Sequence, residues 1–194
     1  MVRSRSAGGF TLLEVLVAVF VLAVGILGAA ATQLAALRVR HQSGLMSNGV
    51  QLAGALADSM RANLAPMRAA DGANPYLQLR YDAAADGAPQ PSGPACIAGA
   101  GCSAAQLADA DLYQFKQALY AGFPGARAVV CRDSQVWDSG RAALRWSCGG
   151  GDGDGAPIVI KLGWRGKQAG TGDAADGAGE FAPSVAIALP GAAP

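Results

Sequence analysis

The side chains able to do chemistry are few and unevenly placed. Four cysteines, Cys96, Cys102, Cys131 and Cys148, all lie beyond residue 95. An even count in such a body favours two disulfides and an oxidising compartment. A zinc centre would want tighter C-x2-C spacing or help from histidine, and His41 is the single histidine in the chain. Asp152-Gly153-Asp154-Gly155 invites a calcium reading, but the further acidic ligands and closing Glu of an EF-hand loop are missing. It reads as a solvated hairpin loop. Gly170-Thr171-Gly172 sits in a linker-like stretch, not at a strand-to-helix phosphate turn. No paired catalytic carboxylates, P-loop or histidine-based triad can be picked out, so no enzyme, metal or cofactor is expected. A net charge of +1, with aromatics not interleaved among basic residues, gives no reason to expect nucleic acid.

One carboxylate remains, and its surroundings make it unusual. From Phe10 to Leu37 the chain is apolar, without proline, and Glu14 is its only ionisable residue. At about 1.5 Å per residue this run can cross a hydrocarbon layer of roughly 30 Å. A charge within such a span is costly and usually marks a function. Arg3 and Arg5 precede the run, while Arg38, Arg40 and His41 follow it, so basic residues alone orient it weakly. The cysteines favour an exported body with the head left in the cytoplasm. A secretory signal is a rival, because Gly28-Ala29-Ala30-Ala31 offers small residues for cleavage. Against it, the apolar run is longer than an ordinary signal core and contains Glu14.

The elements that must position these groups follow in order. Apolar residues at 45/46, 49/50, 52/53, 56/57, 60 and 64 form one stripe, so the helix should continue past the membrane and end near Pro66. Gly44, Gly49 and Gly54 each weaken it. Residues 66–95 read as a long loop with a short strand at Tyr76–Tyr81, both tyrosines covering a core edge. Cys96 and Cys102 enclose a loop short enough to close as a disulfide. Ser103-Ala104-Ala105-Gln106 has the form of a capping box, opening a helix from about Ala104 to Ala121 that Gly122 and Pro124 stop. Val129–Cys131 and Leu144–Cys148 read as a hairpin turning between Ser139 and Gly140, with Asp138 opposite Arg141 and Cys131 opposite Cys148. Connectivity of the four cysteines stays open. Ile158–Arg165 alternates as a strand, and Val185, Ile187 and Leu189 mark another. The expected class is α+β: a long N-terminal helix against three or four antiparallel strands, with an additional short helix.

The segment Arg3-Ser4-Arg5-Ser6-Ala7-Gly8-Gly9-Phe10-Thr11-Leu12-Leu13-Glu14 resembles the leader and processing site of type IV pilins and their relatives. The resemblance implies a pilin-like fold and cleavage by prepilin peptidase between Gly9 and Phe10. It also implies N-methylation of Phe10, and pairing of Glu14 with the N-terminal amine of a neighbouring subunit. Many relatives carry a proline in the apolar helix; here Gly25 and Gly28 are present and proline is not. The wider series is similar to the PilV family of minor pilins, also labelled type IV pilus modification proteins. It runs through Gly25–Gly28, Leu56–Asn63, Asp111–Phe115, Val130–Asp133 and Ile158–Trp164. The implied organisation is a leader at 1–9, a helix at 10–65 whose first part (10–37) lies in membrane or filament core, and a periplasmic or extracellular domain at 66–194. Implied partners are prepilin peptidase, other minor pilins and the major pilin, the inner-membrane assembly platform, a tip adhesin and membrane lipid. The implied location is the bacterial inner membrane and then the pilus fibre. Alternatives are a type II secretion pseudopilin and a monomeric membrane-anchored binding module.

Overall fold

In the computed structural model, residues 9, 11–91, 96, 101–149, 155–166 and 181–189 are described. Helix α1 runs from Leu12 to Ala62 without a break through Gly25 and Gly28. The chain divides into two units, Met1–Ser43 and Gly44–Pro194. In the first, every described side chain is exposed, including Leu12, Leu13, Leu16, Phe20 and Leu27. An all-round apolar helix with nothing covering it is the pattern of a segment meant for lipid or sister helices.

In the second unit α1 becomes one-sided, burying Gly49, Ala53, Leu56, Ala57 and Met60. Met46, Val50 and Leu64, counted in the sequence stripe, are exposed, so the buried face is narrower than the periodicity suggests. The helix ends at Ala62, earlier than expected. Asn63 leaves helical geometry, and its amide donates to Ala104 O (2.7 Å) and the Tyr76 hydroxyl (3.3 Å). Pro66 sits instead inside helix α2 (Leu64–Met67), in a first turn where its missing N–H costs little.

The expected strand at Tyr76–Tyr81 is displaced. Pro75–Gln78 forms a 3-10 turn, with Asn74 accepting from Tyr76 N at 3.0 Å, and strand β1 is Arg80–Asp82. Both tyrosines are buried. A one-turn helix α3 (Ala83–Asp86) follows, and then α4 (Ala104–Gly122). The Ser103/Gln106 capping box is made in both directions, at 2.8 and 3.2 Å. The buried face of α4 is Ala108, Leu112, Phe115 and Leu119.

Strands β2 (Arg127–Arg132), β5 (Ile158–Gly163) and β6 (Val185–Leu189) join β1 in an antiparallel sheet of order β1-β2-β5-β6. Strands β3 (Trp137–Asp138) and β4 (Ala143–Leu144) form a separate ribbon. The register aligns Ala128, Leu162 and Val185, and likewise Val130, Ile160 and Ile187. This inner face joins the α1 and α4 stripes in one apolar core. Gly49 permits the close approach: a Cβ there would stand 2.9 Å from the Trp164 ring. Strand and helix stripes thus make an α+β, pilin-like domain.

Candidate functional site

Gly9 is exposed, and a Cβ there would meet nothing within 4 Å; Phe10 lies outside the described residues. Thr11 opens α1, its hydroxyl and carbonyl accepting from Glu14 N at 3.3 and 3.1 Å. Thr-x-x-Glu is the spacing of a capping box, a signal the sequence reading passed over. Glu14 lies in the first helical turn, where the positive end of the helix dipole favours a carboxylate. It is exposed and held beside the Gly9–Phe10 bond in sequence, at the start of a long apolar surface.

The second group of candidate residues, the cysteines, is brought together in two bonds. Cys96 and Cys102 are joined with Cα atoms 5.9 Å apart. Cys131 and Cys148 are joined with Cα atoms 6.2 Å apart. The second bond is not the cross-strand bridge expected of a hairpin. Cys131 pairs in the sheet with Val159 of β5, and Cys148 follows an irregular return. The hairpin itself is shorter and differently registered: Asp138 faces Ala143 and Trp137 faces Leu144. Its turn is set by Asp138 Oδ1, which accepts from Gly140 N (2.9 Å) and Arg141 N (3.2 Å), and by Ala142 at φ 49°. Asx hydrogen bonding widened the loop beyond the two-residue turn that the count favoured.

The disulfide closes residues 131–148 over the outer face of the sheet. Val129, Cys131, Val159, Lys161 and Gly163 all lie on that face, and all are buried. The 133–149 segment covers this second face of Ile158–Gly163, which carries Lys161 and Gly163. Trp146 donates to Phe181 O, packs edge-on to the Phe181 ring, and lies under the Arg127 guanidinium at 4.7 Å. Gly163 leaves room here, since a Cβ would meet Trp146 and Ala182 O at 3.0 Å.

At the centre, the Lys161 ammonium is fully buried. It donates to Asp133 Oδ2 (2.5 Å), Ser147 O (2.7 Å) and Arg145 O (2.9 Å). All three acceptors belong to the covering segment. Asp133 also accepts from Gln135 N at 2.9 Å and Gly149 N at 3.3 Å. Burial pushes its carboxyl up, but the Lys161 hydrogen bond and these backbone donors outweigh burial and hold it below its ordinary 3.8. Every donor of the ammonium is used, so this is a structural clamp rather than a proton-transfer group. A second polar knot links Tyr76 to Asp111 at 2.7 Å, and burial pushes its phenol well above the usual range.

Among the described residues, no group of three or more His, Cys, Asp or Glu side chains is placed to hold a metal. The Asp152–Asp154 and Gly170–Gly172 stretches lie outside the described residues. Sequence reading missed Thr11, Asp133 and Lys161. Only Thr11 carried a local signal.

Residues 4–30 match the family described as the prokaryotic N-terminal methylation motif. No curated protein and no solved structure matches the chain. The chain thus carries the N-terminal signal of type IV pilin and pseudopilin-like proteins. That motif and the long apolar N-terminal helix suggest membrane anchoring.

Proposed function

We propose that this chain is a minor pilin of a type IV pilus. One observation supports the reading: the methylation motif covers residues 4–30, and within it Glu14 lies in the first turn of a 51-residue helix whose initial surface is apolar and exposed. Prepilin peptidase cuts between Gly9 and Phe10, and Phe10 is N-methylated. Residues 10–37 anchor the chain in the inner membrane and later enter the filament core. The domain at 66–194 is periplasmic, where its disulfides form, and reaches the cell surface on the fibre. The PilV series of stretches favours a subunit that primes assembly with other minor pilins and the major pilin, on the inner-membrane platform and with a tip adhesin. Adhesion and twitching would follow from that role.

The chemistry supports a pairing role for Glu14. Cleavage creates a cationic amine, and an opposite charge offsets the cost of keeping a carboxylate ionised at low dielectric. Such a pair rewards one axial register between apolar helices, as a buried polar residue does in a coiled coil.

Intact mass and N-terminal sequencing of membrane-extracted protein, with and without prepilin peptidase, test the reading. The expected product begins at N-methyl-Phe10. An unprocessed Met1 end in the presence of the peptidase favours a membrane-anchored binding module instead. Co-purification of secretion components in place of pilus components would assign the chain to the pseudopilins.

A further inference from the structure

The pilin reading leaves Arg38, Arg40 and His41 without a task. All three are exposed on α1, immediately after the apolar run ends at Leu37. The nearest acidic residues in that helix are Glu14 and Asp58, many turns away in either direction. None is within the three- or four-residue reach of a helical ion pair. At 100° per residue the three side chains spread over an arc of about 160° around the helix. Contact with a single neighbouring helix needs one stripe; a broad arc at a single height suits a planar layer of charge surrounding the helix.

We infer that Arg38 and Arg40, aided by His41, form a collar binding the headgroups of anionic phospholipids in the leaflet at the C-terminal end of the span. The inference rests on the membrane-anchored state of the proposed pilin, in whichever direction the helix crosses. Arginine suits this position, since its planar guanidinium binds phosphate oxygens in pairs while its stem lies along apolar surface. Basic residues beside a membrane each add about 1 kcal/mol of attraction to anionic lipid.

The collar also sets the depth of Glu14. Arg38 and Glu14 are separated along the unbroken helix by about 36 Å at 1.5 Å per residue, against a hydrocarbon core of about 30 Å. With the arginines seated among headgroups, the Glu14 carboxylate reaches the opposite polar layer. It waits there hydrated, instead of buried in hydrocarbon, until a partner amine is offered.

Spin-labelled lipids provide the test. The full chain is reconstituted in vesicles, and the motionally restricted fraction is compared for spin-labelled phosphatidylglycerol and phosphatidylcholine. At the quoted strength each arginine predicts a preference for phosphatidylglycerol of about fivefold at its own contact at low salt, falling in 1 M salt. The Arg38→Gln/Arg40→Gln protein should lose it, and Arg38→Lys/Arg40→Lys should keep most of it. Equal restriction of both lipids by the parent chain, or a preference that survives the Gln pair, overturns the collar. Alkaline carbonate extraction separates the two failures: a chain released from membranes contradicts the anchor reading, whereas a retained chain without lipid preference contradicts the collar alone.

Discussion

Lys161 Nζ lies 2.5 Å from Asp133 Oδ2 with both side chains fully buried, tying strand β5 to the segment that the Cys131–Cys148 bond closes. A buried pair of this kind stabilises little compared with apolar residues, but removing one partner strands the other. Asp133→Ala should therefore destabilise the domain by about 3–5 kcal/mol. Lys161→Met should do likewise, and the double variant should cost less than the sum of the two. A double-mutant cycle by denaturant unfolding reads the coupling; simple additivity would show that the pair is not the clamp.

The same carboxyl makes a prediction about pH. Asp133 has a folded pKa below its ordinary 3.8. Its contribution is complete above that ordinary value and is lost as pH falls through the lowered one. Stability should thus decline on acidification below about pH 4, with a shallower decline in Asp133→Asn. Unfolding curves at stepped pH values provide the comparison, and identical acid slopes would remove Asp133 from the account.

The Cys131–Cys148 bond holds the covering segment against chain entropy. Replacing both cysteines by alanine should cost about 2–4 kcal/mol. Because the opened segment carries Trp146 and the acceptors of Lys161, amide exchange should rise across 133–149 before it rises in β2 and β5. Uniform exchange across the sheet and the segment would mean that the cover does not open separately.

Two glycines of α1 should respond oppositely to alanine. At Gly49 the new Cβ would stand 2.9 and 3.1 Å from the Trp164 ring, while at Gly54 nothing lies within 4 Å. Gly49→Ala should destabilise by about 1–3 kcal/mol through overpacking. Gly54→Ala should stabilise by about 0.5–1 kcal/mol through backbone entropy. Thermal or denaturant melts decide it, and equal shifts of one sign would contradict the packing at Trp164.

Glu14→Ala should leave membrane insertion intact, since it only makes the span more apolar, while incorporation into filaments should fall sharply. Quantifying the subunit in sheared pili against the membrane fraction measures this. Equal pilus content in variant and parent would remove the carboxylate–amine pair from the assembly mechanism.

What could be read in advance follows the range of the forces. The Ser103–Gln106 cap and the 3–4 spacing of Ala108, Leu112, Phe115 and Leu119 are contained within a few turns of chain, so α4 was legible. Alternation along Ile158–Gly163 marked a strand and separated its two faces correctly. It could not show that the Lys161 face is roofed, because the roof comes from residues 133–149 and closes through Asp133 and two backbone carbonyls. Likewise Asn63 looked like one more helical residue before Pro66, but its amide is drawn to Ala104 O and Tyr76 at distant points in the chain.

By itself, the sequence determined the apolar helix with Glu14 near its start, the methylation motif at 4–30 and the α+β class. Periodicity, charge and short spacings act on neighbouring residues and need no fold to be read. Only the tertiary structure decided the hairpin register, the place of the Cys131–Cys148 bond and the burial of Lys161. Each depends on which distant groups meet, and a buried ammonium is tolerable only where such groups supply all of its hydrogen bonds.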